Sequence, residues 1–346
     1  MFRRGLSILI LVFGLLTLGF SQEKKVLTFN DALNIALQNN RDLLVAKINL
    51  QNAENDYNDK KADPTTLILA LKQSELNLKL ERVRFNNTKL QIAQNVRNAY
   101  FSVLEAQAQL KLLEKQATLA QEQLQATQSK YKLSNATLLD VQQAEINLLS
   151  AQNNYKLGES NLKTAWSQFW ETLGVKPMDV ILQELPLTTF DLKLDDLIVI
   201  AKENLTTLVQ LQNNIELYEL QVKLYDNEYT PKSQLRSAQN SLESAKTNFE
   251  QTLANTIITI SQKLDQLLNN LEKVKIQEKS LQVAQDNYKI DKIRLDAGLI
   301  TKIQLLSTEI NLIKTENDYY SALHNYWKSV DALSLAIGKS IEEGGK

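Results

Sequence analysis

Apolar residues recur at intervals of three and four along most of the chain, which is the spacing of an amphipathic helix. One stretch carries this rhythm at Leu110, Leu113, Ala117, Ala120 and Leu124. A later stretch carries it at Leu264, Leu267, Leu271, Val274 and Leu281. Such seams are typical of coiled coils. The pattern therefore predicts long antiparallel helices that pack along these apolar seams.

Proline and glycine mark where the predicted helices end. No proline occurs between Pro64 and Pro177, and none follows Pro231. The intervening tracts are rich in Leu, Gln, Lys, Glu and Ala, which favour helix. The predicted helices cover 29–39, 41–61, 65–133 and 138–173, and then 194–203, 205–229, 232–296 and 302–337. The longest of them would extend about 100 Å.

The chain repeats itself. The segment "TFNDALNIALQNNRDL" aligns with "KLDDLIVIAKENLTTL" at an offset of 165 residues, and "ATLLDVQQAEINLLSAQNNY" aligns with "ITKIQLLSTEINLIKTENDY" at an offset of 164. Two copies of one unit explain both offsets. The sequence therefore predicts an all-α chain of two tandem repeats. Its predicted divisions are a first repeat at 22–175, a linker at 176–191, a second repeat at 192–338 and a disordered tail at 339–346.

The two tight turns between long and returning helices have matching local chemistry. Thr137 with Asp140, and Thr301 with Gln304, have the spacing of a capping box. Gly298 stands where a helix ends in the left-handed conformation, and Ser134 is its counterpart in the first repeat. Both turns are therefore predicted to be compact helical hairpins.

The N-terminal residues predict export. Arg3 and Arg4 precede a short apolar run, and Gly19 and Ser21 stand before a cut at Gln22. This is the pattern of a signal peptide, here covering 1–21. An uncleaved membrane anchor stays open as the alternative, although the apolar run is shorter than the roughly 20 residues of a membrane span.

Charge and composition exclude several classes of function. Lys and Arg number 39 against 40 Asp and Glu, and this balance argues against nucleic-acid binding. The sequence has no cysteine and one histidine, so we expect no metal site, no cofactor and no catalytic residues. His324 lies in an aromatic tract and is expected to be an interface side chain without a ligand. The protein is predicted not to be an enzyme.

Several segments together resemble a known family. They are "VRNAYFSVLEAQAQL", the turns "LSNATLLDVQQAE" and "DAGLITKIQLLSTE", and the repeat endings "WETLGV" and "LSLAIG". Over residues 27–338 the chain resembles the TolC family of bacterial outer-membrane efflux proteins. This resemblance implies a homotrimer whose pooled helices form a hollow conduit. It also implies that the hairpin tips dock a periplasmic adaptor and an inner-membrane pump or secretion ATPase.

The sequence departs from that family at two corners. Family members insert two strands of a membrane β-barrel per repeat before each long helix, and a spanning strand needs about 9–11 residues. Neither the stretch between Tyr57 and Gln73 nor segment 225–239 leaves room for them. We therefore expect direct helix joins, and a protein of the periplasm or associated with the outer membrane that does not span it. A separate outer-membrane component, and docking of "TTLILAL" (65–71) on a membrane surface, stay open.

The resemblance also implies site residues. The positions that narrow the tip aperture are Asp140, Gln304 and Ser307; two of them are uncharged, and capping is the alternative role of Asp140. The candidates for partner contact at the tips are Ser134, Asn135, Ala136, Gly298, Leu299 and Ile300. Packing between neighbouring hairpins is their alternative role.

Two functions follow from these expectations. The first is a helical conduit of the cell envelope for efflux or secretion. The second is a periplasmic coiled-coil scaffold or spacer that derives from the same fold and carries nothing. The oligomeric state separates them, because a conduit needs several chains around an axis.

Overall fold

The computed structural model describes residues 25–342. The predicted signal peptide at 1–21 and residues 343–346 of the predicted tail lie outside them. Helices dominate the described chain, as predicted. They are α1 (Phe29–Asn39), α2 (Arg41–Ala62), α3 (Ile68–Lys132), α4 (Leu138–Leu173), α5 (Leu194–Asn204), α6 (Thr206–Tyr225), α7 (Lys232–Asp296) and α8 (Lys302–Ile337). No helix within 25–342 is both long enough and apolar enough to cross a membrane.

The long helices α3 and α7 have 65 residues each and organise the fold. Helices α2 and α4 pack along α3, and α6 and α8 pack along α7. The two repeats meet where α3 contacts α6 and α8. The helices therefore form one layer, in the order α4–α3–α8–α7 towards the tips and α2–α3–α6–α7 towards the corners. The prediction of two tandem repeats of antiparallel helices is confirmed.

The helices join directly at both corners. Residues 63–67 connect α2 to α3, and residues 226–231 connect α6 to α7. The Asp63 carboxylate accepts hydrogen bonds from the backbone N–H and the hydroxyl of Thr65, at 2.8 and 2.7 Å. The Asn227 side chain stabilises the second corner in the same way. The prediction that no β-hairpin is inserted at these corners is confirmed.

Two short strands were not predicted. Strand β1 (Lys25–Leu27) pairs in parallel with β2 (Val180–Leu182), which lies in the linker between the repeats. The chain after α8 also differs from the prediction. Ile341 is buried and Glu342 pairs with a buried arginine, so the tail predicted to be disordered from residue 339 is packed through residue 342.

The core lies near the middle of the layer, where the short helices and the linker cover α3 and α8. Three asparagines also join the repeats, each through its side-chain amide. These cross-repeat asparagines are Asn87, which donates to the hydroxyl of Thr206, Asn213, which donates to the Leu76 carbonyl at 2.9 Å, and Asn317, which donates to the Ala108 carbonyl at 3.2 Å. Because each bond reaches one particular atom of a neighbouring helix, the three together fix the height of one repeat against the other.

Candidate functional site

The first hairpin tip connects α3 to α4. Ser134 adopts the left-handed conformation, with φ of 60°. Its N–H donates to the Tyr131 carbonyl at 2.9 Å, and the N–H of Asn135 donates to the Lys130 carbonyl at 2.8 Å. This pair of bonds is a Schellman motif, which satisfies the last carbonyls of α3.

The second tip, between α7 and α8, has the same motif. Gly298 has φ of 71°, and its N–H donates to the Leu295 carbonyl at 2.8 Å. The N–H of Leu299 donates to the Arg294 carbonyl at 2.8 Å. The predicted left-handed residue at each turn is therefore confirmed.

Capping boxes start both returning helices, as the sequence predicts. The Asp140 carboxylate accepts from the N–H of Thr137 at 2.7 Å and from its hydroxyl at 2.8 Å. These two bonds lower the pKa of Asp140 below its usual value, and the bond from the backbone N–H has the larger effect. The Gln304 amide oxygen accepts the N–H of Thr301 at 2.8 Å. Asp140 and Gln304 are thus both engaged in helix capping while their side chains stay exposed.

The two tips do not reach the same height. Lys302, the first residue of α8, forms an ion pair of 2.7 Å with Glu122, which lies ten residues before the end of α3 at Lys132. Lys115 pairs with Glu309 at 2.8 Å in the same register. The first tip therefore extends about 15 Å beyond the second, at 1.5 Å per residue. We call the first tip the leading tip (133–137) and the second the trailing tip (297–301).

This stagger separates the residues that the resemblance placed at one aperture. Asp140 lies beside the leading tip, whereas Gln304 and Ser307 lie at the start of α8. Ser307 is exposed, and its hydroxyl donates to the Ile303 carbonyl at 3.0 Å. Within a single chain, the structure does not bring these three residues together.

Most of the predicted tip residues are open to solvent. Leu299 is 75% exposed at the trailing tip, and Leu133 and Leu139 are both 72% exposed around the leading tip. Ser134, Asn135 and Gly298 are also exposed, whereas Ala136 and Ile300 are half-buried. Large apolar side chains are thus uncovered at both tips.

Comparisons with known proteins agree with this geometry. Residues 68–175 match the family model described as outer membrane efflux protein. The fold matches the CmeC outer membrane channel of Campylobacter jejuni, with a TM-score of 0.64, 14% identity, and coverage of 90% of this chain and 85% of that one. It matches CusC with a TM-score of 0.63 and 15% identity, and the match covers 90% of this chain and 92% of CusC. It matches VceC of Vibrio cholerae with a TM-score of 0.60 and 15% identity, and the match covers 90% of this chain and 96% of VceC.

The resemblance to the TolC family is confirmed. No curated protein matches the chain. The matched family is a family of efflux proteins and not of enzymes.

The TolC-like fold of residues 25–342 has two open edges. One edge is the outer face of α4, where Leu139, Ile146, Leu149 and Leu157 are exposed. The other is the outer face of α7, where Ile276, Val283, Ile290 and Ile293 are exposed. Three of the residues on α7 are spaced by seven, which is the repeat of a coiled-coil seam. Neither stripe is covered by another helix of the described chain.

Sequence reasoning missed a buried ion cluster at the centre of the TolC-like protomer. Arg97 on α3 is 2% exposed, and its guanidinium carbon lies 4.2 Å from the ring centroid of Phe29 and 4.8 Å from that of Trp327. It forms ion pairs with Asp331 and Glu342. The available signal was periodicity, because Arg97 falls on the same helical face as buried apolar residues of α3.

His324 on α8 is also buried, at 1% exposure. Its ring stacks on Phe101, with centroids 4.0 Å apart and planes at 8°. Nδ1 lies 2.9 Å from the Glu105 carboxylate of α3, and Nε2 lies 3.0 Å from the Glu184 carboxylate of the linker. Within residues 25–342, no group of three or more histidine and carboxylate side chains is placed to hold a metal. His324 is thus an interface side chain that joins three segments of the TolC-like protomer.

Proposed function

We propose that copies of this chain assemble head to tail into a helical conduit of the cell envelope for efflux or secretion. The family match and the channel fold support a protein of the efflux-channel type. A trimer is the assembly that the resemblance implies. The conduit acts by shaping a passage and by docking partners.

The observation that carries the proposal is the pair of open edges. An exposed apolar stripe that lacks a partner marks an interaction surface. The α4 edge and the α7 edge lie on opposite sides of the layer, so one copy can cover its neighbour's α4 edge with its own α7 edge. Such a heterologous contact closes into a ring when the rotation between copies allows it.

The tips are the proposed contact with partner proteins. Leu133, Leu139 and Leu299 are exposed at the end of the hairpins, and no residue of the described part of the chain covers them. The leading tip would meet a partner first. An adaptor and an inner-membrane pump or secretion ATPase are the partners that the resemblance implies.

The assembly is tested by measuring its mass. We expect the protein without residues 1–21 to have the mass of a trimer by light scattering. Ile146→Glu places a charge on the α4 edge, and Val283→Glu places one on the α7 edge. Each variant alone should be monomeric, because each removes one of the two surfaces that every contact needs.

A mixture of the two variants makes the test specific. Each mixed pair retains one intact α4 edge and one intact α7 edge, so the mixture should give a dimer and no trimer. Leu299→Glu is the control, since it adds the same charge at the trailing tip and should leave the trimer intact. A monomeric wild-type chain at high concentration would instead favour the scaffold function.

A further inference from the structure

The linker between the repeats is fastened to the core by three side chains. The hydroxyl of Tyr100 bonds with both the carbonyl and the N–H of Gln183, at 2.7 and 2.8 Å. The hydroxyl of Tyr326 donates to the Thr188 carbonyl at 2.6 Å. Between these anchors, the Glu184 carboxylate lies 3.0 Å from Nε2 of His324. Leu185 and Leu187 pack against the core, and His324 supplies the polar contact of this segment, at Glu184.

The contacts of His324 depend on its protonation. Both ring nitrogens of the imidazolium are donors, whereas the neutral ring has one donor and one lone pair. An ionised carboxylate only accepts hydrogen bonds. His324 can therefore satisfy Glu105 and Glu184 together only while the ring is charged. In the neutral ring, one nitrogen lone pair must face a carboxylate.

The neighbouring charges determine which of the two carboxylates loses its hydrogen bond to the neutral ring. Glu105 also lies 3.5 Å from the ammonium group of Lys328, so it keeps a cationic partner when His324 is neutral. Glu184 has no other basic side chain within ion-pair distance in residues 25–342. Glu184 is thus the carboxylate that a neutral His324 releases.

The other titratable groups nearby are tyrosines and do not change charge near neutral pH. Tyr100 belongs to α3, and Tyr319 and Tyr320 belong to α8; the charge of Glu184 contributes to raising the pKa of each, although burial is the larger cause. Burial lowers the pKa of His324. Its hydrogen bonds to the two carboxylates and their charges outweigh burial and leave the pKa above the ordinary value of 6.5.

We propose that His324 is a pH-dependent clasp, which holds linker segment 184–187 against α3 and α8 while its ring is protonated and releases Glu184 when the ring loses its proton. Because the pKa of His324 is raised in the folded state, its contribution to stability is complete below about pH 6.5, the ordinary pKa of histidine. That contribution is lost as the pH rises through the pKa of the folded state. The clasp is therefore closed in acidic surroundings and opens towards alkaline pH. It does not depend on the proposed conduit.

Two measurements on the full chain test the clasp. His324 is the only histidine, so protein without a polyhistidine tag gives one imidazole NMR titration. Its midpoint should lie above pH 6.5. The methyl resonances of Leu185 and Leu187, which pack against the core, should move towards the positions of exposed side chains over the same pH range. The opening constant should rise by up to about tenfold for each pH unit by which the midpoint exceeds 6.5.

Glu184→Gln is the test variant, because an amide can pair with either form of the ring. It should lower the His324 midpoint and make the methyl resonances of Leu185 and Leu187 independent of pH. Tyr326→Phe is the control: it removes the Thr188 anchor, should shift the Leu187 methyl resonances at every pH, and should leave the His324 midpoint unchanged. A wild-type midpoint at or below 6.5, or the same pH dependence of the Leu185 and Leu187 methyl resonances in wild type and Glu184→Gln, would overturn the proposal.

Discussion

The Nε atom of Arg97 lies 2.9 Å from Oδ2 of Asp331, and the two side chains are only 2% and 8% exposed. This ion pair joins α3 of the first repeat to α8 of the second. Glu342 adds a second carboxylate from the chain end, and Phe29 and Trp327 enclose the guanidinium group. The cluster thus ties both repeats, the N-terminal helix and the last described residues to one buried charge.

Replacing Arg97 tests the energetic role of this cluster. Arg97→Met keeps much of the volume but leaves Asp331 buried without a partner, so we expect the free energy of unfolding to fall by about 3–5 kcal/mol at pH 7.5. Arg97→Met combined with Asp331→Leu should recover most of the loss, because no buried charge is then left unpaired. Denaturant unfolding at fixed protein concentration measures both. A double variant as unstable as Arg97→Met would contradict this reading.

Asp331 should also make stability depend on pH. Burial raises the pKa of Asp331 to about 6, although the Arg97 charge acts in the opposite direction. The folded state therefore binds the proton of the Asp331 carboxyl group more tightly than the unfolded state does. The resulting stabilisation is complete below about pH 3.8 and is lost as the pH rises through about 6. Relative to Asp331→Asn, wild-type stability should fall by up to about 3 kcal/mol between pH 4 and 7. The free energy of unfolding of both proteins is measured by denaturant at several pH values. A difference between the two that stays constant from pH 4 to 7 would refute the prediction.

Two glycines with the same backbone conformation should differ in their tolerance of a side chain. Gly338 has φ of 73°, and a Cβ there would lie 2.1 Å from the Asn204 carbonyl oxygen. Gly298 has φ of 71° with nothing within 4 Å of the same position. Gly298→Ala should cost about 1 kcal/mol for the left-handed conformation alone. Gly338→Ala should cost about 2–4 kcal/mol, because backbone must also shift. Equal losses in thermal unfolding would contradict the steric argument.

Asn213 should be replaceable by an apolar residue without loss of stability. Its amide donates to the Leu76 carbonyl, but its Oδ1 is buried with no hydrogen-bond partner in the described chain. The lost bond is worth about 0.5–1.5 kcal/mol, whereas a buried unpaired polar atom costs about 1–3 kcal/mol. Asn213→Leu should therefore be neutral or stabilise by up to about 1 kcal/mol. Asn317→Leu is the matched comparison and should destabilise by about 1 kcal/mol, since Asn317 is only half-buried.

The sequence predicted the elements well because their signals are local. Helix periodicity, the capping boxes at Thr137 and Thr301, and the left-handed positions at Ser134 and Gly298 depend on residues within a few places of one another. All of them agree with the structure. The direct corners were predictable for the same reason, since a missing strand is visible in the length of the segment between two helices.

The buried cluster and the stagger could not be predicted in this way. Arg97 meets Asp331 and Glu342 across more than 230 residues, and which charged residues of two helices face each other depends on their relative height. That height is fixed by bonds between the repeats, such as that of Asn317 with the Ala108 carbonyl, which a single repeat does not contain. The strand pairing between β1 and the linker is non-local for the same reason.

The cross-repeat asparagines restrict how the two repeats can move. Asn87, Asn213 and Asn317 each donate a hydrogen bond to an atom of the opposite repeat. A translation of one repeat along the other would therefore break all three bonds together. Beyond Asn317 towards the tips, the seam between α3 and α8 includes exposed or half-buried lysine–glutamate pairs, which water screens and which part at little energetic expense. The two repeats are therefore held together less firmly at the end that carries the hairpins than at the level of the asparagines.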